Sequence, residues 1–162
     1  MDRRIITLIS ALILLGVIVV IVVVSGGDSD GDVGTISTDL NERPVITSSS
    51  EPPPNRVETD DIVVGEGPAA KDGDTVSVQY VGAVYDTGTE FDASWDRGEA
   101  FDFTLGDGEV IEGWDEGVVG MKVGGRRKLV IPPDLAYGAQ GSPPLIPGDA
   151  TLTFVVDLEA IK

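Results

Sequence analysis

The sequence predicts an α+β domain, in which a twisted antiparallel sheet is wrapped around one short helix, preceded by one N-terminal transmembrane helix. Three observations lead to this prediction. Residues 5–24 carry no charged side chain. From residue 59 onward, short runs of alternating apolar and polar residues are separated by Gly-rich turns. Only residues 110–121 show a helical repeat, and one helix among several strands is typical of an α+β fold.

The N-terminal apolar run has the length of a bilayer core. Its twenty residues, 5–24, would span about 30 Å at a helical rise of about 1.5 Å each. Arg3 and Arg4 precede the run and acidic residues follow it, so residues 1–4 are expected in the cytoplasm. We therefore expect a single-pass signal-anchor in the cell membrane and an extracytoplasmic C-terminal domain. A cleaved signal peptide is the alternative, but no Ala-x-Ala-like cleavage pattern follows the run.

Residues 25–56 have the composition of a linker. They are rich in Ser, Gly, Asp and Thr and end close to three consecutive prolines. Such a segment cannot bury enough apolar area to offset chain entropy, so we expect a disordered tether before a domain at residues 57–162. An Asp-x-Asp-x-Asp run resembles half of a calcium loop, but Val33 stands where that loop requires glycine. We expect no metal site and no cofactor.

The domain contains about five strand patterns and one helical pattern. The predicted strands cover residues 62–64, 75–84, 101–105, 126–131 and 152–161. In the second of these, Val76, Val78 and Tyr80 share one face and alternate with more polar residues on the other. The helical pattern consists of Val110, Ile111, Trp114, Val118 and Met121, which recur at intervals of mostly three or four residues. Gly120 and the following Gly pair are expected to end the helix.

Charge and composition exclude several classes of function. The net charge is −17, and residues 57–162 hold 21 Asp and Glu against 7 Lys and Arg. A surface of this kind repels phosphate backbones, so we expect no nucleic-acid binding. The chain has no histidine and no cysteine. Imidazole general-base chemistry, disulfides and thiolate metal sites are therefore ruled out.

Aromatic residues are placed at the strands, the helix and the loops of the domain. Taken singly, each is explained as core packing. Taken in order, the surrounding segments resemble those of FKBP-type peptidyl-prolyl cis-trans isomerases. The segments are Gln79-Tyr80-Val81-Gly82, Phe91-Asp92-Ala93-Ser94, Phe101-x-Phe103-x-Leu105-Gly106, Val110-Ile111-x-Gly113-Trp114, Met121-x-Val123-Gly124, Ile131-Pro132-Pro133, Ala136-Tyr137-Gly138 and Ala150-Thr151-Leu152-x-Phe154. No single segment is specific, whereas eight in family order are.

The resemblance implies an FKBP-like sheet of five to six strands and a shallow pocket with Trp114 as its floor. It assigns catalytic roles to Tyr80, Phe91, Asp92, Ile111, Tyr137 and Phe154, and substrate-binding roles to Trp114, Phe101, Val110, Arg97, Leu145 and Ile146. It further implies that the Ile111 N–H and the Tyr137 hydroxyl donate hydrogen bonds to the ligand. Asp92 is implied to be a buried carboxylate near Tyr80, with Arg97 as its counter-charge.

The function implied is rotation of X–Pro peptide bonds in exported or membrane-proximal proteins. The expected partners are proline-containing polypeptides and the macrolides FK506 and rapamycin, and we expect a monomer. A non-catalytic module that binds proline-containing chains in the same pocket is the alternative. A carboxylate hydrolase is a remote third class, because no carboxylate pair is marked by the sequence. Ser142 and Leu145 depart from residues frequent in the family, and we expect them to tune rate and ligand preference.

Overall fold

The computed structural model describes residues 35–162, which form one sheet, one helix and three short 3₁₀ turns. The strands are β1 (Glu58–Val63), β2 (Thr75–Val84), β3 (Glu90–Ala93), β4 (Phe101–Thr104), β5 (Gly125–Ile131) and β6 (Leu152–Ile161), and the helix is α1 (Glu112–Gly117). The 3₁₀ turns are Trp95–Arg97, Pro133–Leu135 and Gly138–Gln140. The predicted α+β architecture with an antiparallel sheet around one short helix is confirmed.

The six strands form a single antiparallel sheet in the order β1-β5-β6-β2-β3, with β4 also paired to β2. The long central strands β2 and β6 set the register, since Tyr80 stands opposite Val156 and Gly82 opposite Phe154. Residues on one face of these strands join α1 in the hydrophobic core. We call this the inner face of the sheet, and the opposite one the outer face.

Helix α1 is shorter than the repeat over residues 110–121 predicts. Ile111 is its N-cap in an extended conformation, and Gly120, at φ 84°, turns the chain away soon after the helix ends. The apolar residues of the adjoining loops also point into the core, which is why the pattern continues beyond the helix. A Cβ at Gly113 would lie 2.3 Å from the side chain of Ile131. Glycine at this position therefore lets α1 pack closely on β5.

The predicted strand bounds agree with the structure for the long central strands and differ from it for the edge strands. The predicted bounds of β2 and β6 match those found, because long strands of the sheet centre alternate strongly. Strand β1 begins four residues earlier than predicted, at Glu58, since its first residues are exposed and polar, as suits an edge. Strand β3 has only four residues, and its pairing with β2 contains a register shift; the sequence pattern did not predict this strand.

Residues 35–51 lie against the outer face and we call them the strap. The Arg126 guanidinium donates to the backbone carbonyls of Ser37 at 2.6 Å, Asp39 at 3.1 Å and Glu42 at 2.9 Å. Further along, the Ser49 N–H donates to the carbonyl of Tyr85 at 2.9 Å. The sequence pattern led us to expect a disordered tether here. The described part of that segment instead runs along the domain, although it forms no helix or strand.

The strap explains why outer-face residues are buried. Val81, Ala83 and Val155 are fully buried, yet they alternate with the inner-face residues and are not part of the core around α1. The strap is hydrogen-bonded at Arg126 and at Tyr85 and so crosses this face. Its Pro44 is itself buried. The strap thus forms a third layer on the sheet and removes apolar surface from water.

The predicted transmembrane segment, residues 5–24, lies outside the described residues. Within residues 35–162, no helix combines the length and the apolar character needed to cross a bilayer.

Candidate active site

A cavity of about 430 Å³ opens between α1, the inner face and the loop at residues 142–146. Its floor is Trp114, which is only 4% exposed. The lining consists of Tyr80, Phe91, Asp92, Phe101, Glu109, Val110, Ile111, Trp114, Tyr137, Ser142, Pro143, Pro144, Leu145, Ile146 and Phe154. A cavity that combines aromatic walls with polar groups suits a small apolar ring with polar atoms beside it.

The aromatic rings hold one another at the floor of this cavity. The ring of Tyr80 lies 5.0 Å from that of Trp114 at an angle of 86°, and Phe154 lies 5.3 Å from Trp114 at 85°. Such edge-to-face contacts place the positive edge of one ring on the negative face of another. Because side chains from β2 and β6 both pack against Trp114, its indole has a fixed orientation beneath the opening.

Gly82 makes room for the wall of the cavity. A Cβ at this position would lie 2.6 Å from the ring of Phe154 and 2.9 Å from that of Phe91. Without a side chain there, these two rings meet edge to face with centroids 5.5 Å apart. A residue larger than glycine at position 82 would push both rings into the cavity.

Polar side chains at the rim form a network around Tyr80. The Tyr80 hydroxyl donates to the Asp92 carboxylate, and the Arg97 guanidinium donates to Asp92 at 2.7 Å and to the Tyr80 oxygen at 2.9 Å. The expectation that Asp92 is buried is wrong, since its side chain is 45% exposed. It sits at the rim because β3 is an edge strand, and Arg97 supplies the expected counter-charge from the following 3₁₀ turn.

This network fixes the charges at the rim. Burial acts to raise the pKa of Asp92, but hydrogen bonds from Tyr80 and Arg97 and the charge of Arg97 outweigh it and lower that pKa. Burial, together with the Asp92 hydrogen bond, raises the pKa of Tyr80. Burial and the charge of Asp92 likewise raise the pKa of Tyr137. At neutral pH Asp92 is therefore ionised, and the phenols of Tyr80 and Tyr137 are protonated.

Two hydrogen-bond donors at the cavity remain open to a ligand. Within residues 35–162, neither the Ile111 N–H nor the Tyr137 hydroxyl has a protein acceptor. Ile111 precedes the first turn of α1, and its own carbonyl accepts from Trp114 at 2.9 Å, which fixes the direction of its backbone. Tyr137, which also lines the cavity, is 41% exposed.

Of the twelve residues that the sequence analysis named for the site, eleven line the cavity. The exception is Arg97, which contacts it through Asp92 and Tyr80. Sequence reasoning did not assign Glu109 to the site. Its carboxylate accepts from the Thr104 N–H at 2.7 Å and ties the loop before α1 to the end of β4. An isolated acid in a Gly-rich loop gives no signal for such a role.

Metal ligands are not grouped in the described part of the chain. No set of three or more carboxylates within residues 35–162 is arranged to hold a metal ion. No residue is therefore assigned to one.

Comparison with known proteins gives consistent similarities. Residues 67–159 match the model of a family described as FKBP-type peptidyl-prolyl cis-trans isomerase. The FK506-binding protein of Streptomyces anulatus is 52% identical over 122 residues, which cover 74% of this chain and 98% of that protein. The peptidyl-prolyl cis-trans isomerase FKBP15-2 of Arabidopsis thaliana is 55% identical over 93 residues, covering 57% of this chain and 56% of that protein.

The fold is likewise similar to a solved one. The crystal structure of AtFKBP13 aligns with a TM-score of 0.61 and 38% sequence identity, covering 65% of this chain and 93% of that chain.

Proposed function

This chain belongs to the family of FKBP-type peptidyl-prolyl cis-trans isomerases, and on that premise we propose that its aromatic cavity accelerates rotation of X–Pro bonds in exported or membrane-proximal polypeptides. One observation carries the assignment to this cavity. Aromatic side chains from β2, β3, α1 and β6 enclose the space above Trp114, and open donors lie beside it.

The reaction requires no covalent intermediate. Rotation about an X–Pro bond breaks amide resonance, which costs about 18–20 kcal/mol, and unassisted exchange takes roughly tens to hundreds of seconds. As the bond twists, charge separation between the carbonyl oxygen and the nitrogen falls. The twisted form is therefore less polar than the planar amide, and an aromatic cavity that excludes water favours it. Catalysis follows from binding the twisted form more tightly than the planar one.

The residues of the cavity divide this task. The prolyl ring packs on Trp114, between the rings of Tyr80 and Phe154. The Ile111 N–H and the Tyr137 hydroxyl donate to carbonyls of the bound chain and hold its two ends while the bond between them turns. The carboxylate of Asp92 orients the Tyr80 hydroxyl, and Arg97 pairs with that carboxylate. None of these groups exchanges a proton with the substrate, so histidine is not needed.

A macrolide titration tests this use of the cavity. FK506 and rapamycin are expected to fill the space above Trp114 and to change its fluorescence. In full-length chain carrying Trp95→Phe, which leaves Trp114 as the only indole, FK506 should give a saturable change with a stoichiometry of one. Prolyl peptide should compete with it. Absence of a fluorescence change in the folded protein would contradict the proposal that this cavity is the ligand site.

We also propose that residues 5–24 anchor the chain in the cell membrane with the domain outside the cytoplasm. The support is the uncharged length of the run and the arginines that precede it. Expressed with its native N-terminus, the chain should resist extraction from membranes by alkaline carbonate. The domain should be accessible to protease added outside intact cells. A soluble product that lacks residues 1–24 would instead establish the cleaved alternative.

A further inference from the structure

We propose that Arg43, in the strap, is a positioning residue for the cavity, because it holds the segment that carries Phe91, Asp92 and Arg97. We call that segment, residues 90–97, the flap. It comprises β3 and the 3₁₀ turn Trp95–Arg97. The inference rests on the proposed isomerase function, since it assigns Arg43 an effect on that activity from outside the cavity.

Arg43 projects from a fixed part of the strap. The preceding residue, Glu42, has its carbonyl bound by the Arg126 guanidinium, which is fully buried and paired with Asp157 at 2.6 Å. The next residue, Pro44, is buried and has its backbone φ fixed by its ring. Exposed ion pairs are usually weak because two long side chains must be ordered. Here the backbone on both sides of Arg43 is already ordered, so forming the ion pair loses less conformational entropy.

The guanidinium of Arg43 contacts both ends of the flap. It pairs with the Glu90 carboxylate at the start of β3 and donates to Asp96 at 3.2 Å in the 3₁₀ turn. Glu90 stands opposite Ala83, a residue of the outer face, so its side chain is on the strap side of the sheet. Between these ends, the buried Ser94 hydroxyl accepts from the Tyr80 N–H at 2.8 Å. The flap is thus fixed at its centre by β2 and at both ends by Arg43.

Charge balance gives Arg43 a second effect. The flap holds three carboxylates, on Glu90, Asp92 and Asp96, and a single cation, Arg97. With Arg43 in place, Glu90 and Asp96 are paired on the strap side, and Arg97 is left to bind Asp92 and Tyr80. If Arg43 is removed, the carboxylates of Glu90 and Asp96 lose their counter-charge, and their repulsion of the Asp92 carboxylate is no longer offset. The rim network then loosens although no residue of the cavity has changed.

The test is Arg43→Ala in the full-length chain, compared with Asn41→Ala as a control on the same strap. Asn41 is exposed, and within residues 35–162 the hydrogen bond of its side chain is to the Asp39 carboxylate at 3.0 Å. Arg43→Ala should lower kcat/KM for a prolyl peptide about threefold to fivefold, and Asn41→Ala should leave it unchanged. Labelling with 5-fluorotryptophan supplies a readout independent of activity, since the chain has two tryptophans, Trp95 in the flap and Trp114 in the floor.

Fluorine NMR should show a shifted or broadened Trp95 resonance in Arg43→Ala and an unchanged Trp114 resonance. The double variant Arg43→Ala/Asp96→Asn should regain part of the lost activity, because it removes one of the two carboxylates that the single variant leaves without a counter-charge. An unchanged Trp95 resonance, or a double variant no more active than the single one, would overturn the proposal. If the wild-type protein has no isomerase activity, the proposed function fails, while the Trp95 resonance still decides whether Arg43 positions the flap.

Discussion

Arg126→Met should lower the free energy of unfolding by about 3–5 kcal/mol, the cost of breaking a buried ion pair by removing one partner. Arg126 is fully buried, and it donates to the Asp157 carboxylate at 2.6 and 2.8 Å. The substitution leaves a carboxylate that is itself almost inaccessible to water, and it removes the donors of three strap carbonyls. The loss is large beside a total stability of about 5–15 kcal/mol.

Urea unfolding followed by far-ultraviolet circular dichroism measures this effect. The matched control is Lys162→Met, since Lys162 also pairs with an aspartate, Asp102, but with both side chains about half exposed. The loss of stability in Lys162→Met should be much smaller than that in Arg126→Met, because solvent screens an exposed ion pair. The double variant Arg126→Met/Asp157→Leu should recover part of the stability, because no charge is then buried alone. Equal losses for Arg126→Met and Lys162→Met would contradict the structural role assigned to this pair.

Phe91→Ala should reduce kcat/KM for a prolyl peptide about 10-fold to 100-fold. The ring of Phe91 forms the cavity wall on the β3 side and packs edge to face on Phe154. Its removal admits water beside the twisting bond, which favours the planar, more polar form and raises the barrier. A loss of this size corresponds to about 1.4–2.8 kcal/mol of transition-state stabilisation. The variant Phe91→Leu keeps most of the apolar volume, so its kcat/KM should lie between that of the wild type and that of Phe91→Ala.

The comparison needs a substitution of similar chemistry away from the cavity. Val64→Ala serves, because Val64 is 64% exposed and does not line the cavity. Its activity should match that of the wild type. Thermal unfolding of each variant verifies that activity is measured on folded protein. If folded Phe91→Ala has the kcat/KM of the wild type, Phe91 does not contribute to catalysis.

The sequence predicted the sheet well where strands are long and central. Over ten residues each, β2 and β6 place mostly large apolar residues on the inner face and mostly smaller or polar residues on the outer face, so the alternation predicts the bounds of both strands. The sequence did not predict that the strap lies on the domain, because its own residues carry no pattern that indicates this contact. Its own composition is that of a flexible linker, and what orders it lies some 80 residues away, at Arg126. A buried arginine that binds backbone carbonyls leaves no periodic signal in either segment.

The members of the cavity and the pairing of Asp92 with Arg97 were predictable, but the exposure of Asp92 was not. The aromatic segments in family order named the residues that line it, because each ring belongs to a recognisable local pattern. The burial of Asp92 was misjudged, since exposure depends on β3 lying at an edge, which four residues cannot reveal. The strap's contact with the flap was also invisible, because Arg43 and Asp96 are far apart in sequence and meet only when the outer face is covered.

The most direct test of isomerase function in this cavity is the cis–trans exchange rate of a short peptide with an apolar residue before proline. Exchange NMR on the full-length wild-type chain in mild detergent measures binding and turnover in the same sample. We expect exchange well above the unassisted rate, and we expect FK506 to return it to that rate. Binding of the peptide by folded protein without any gain in exchange would contradict the catalytic account and identify the chain as a module that only binds proline-containing polypeptides.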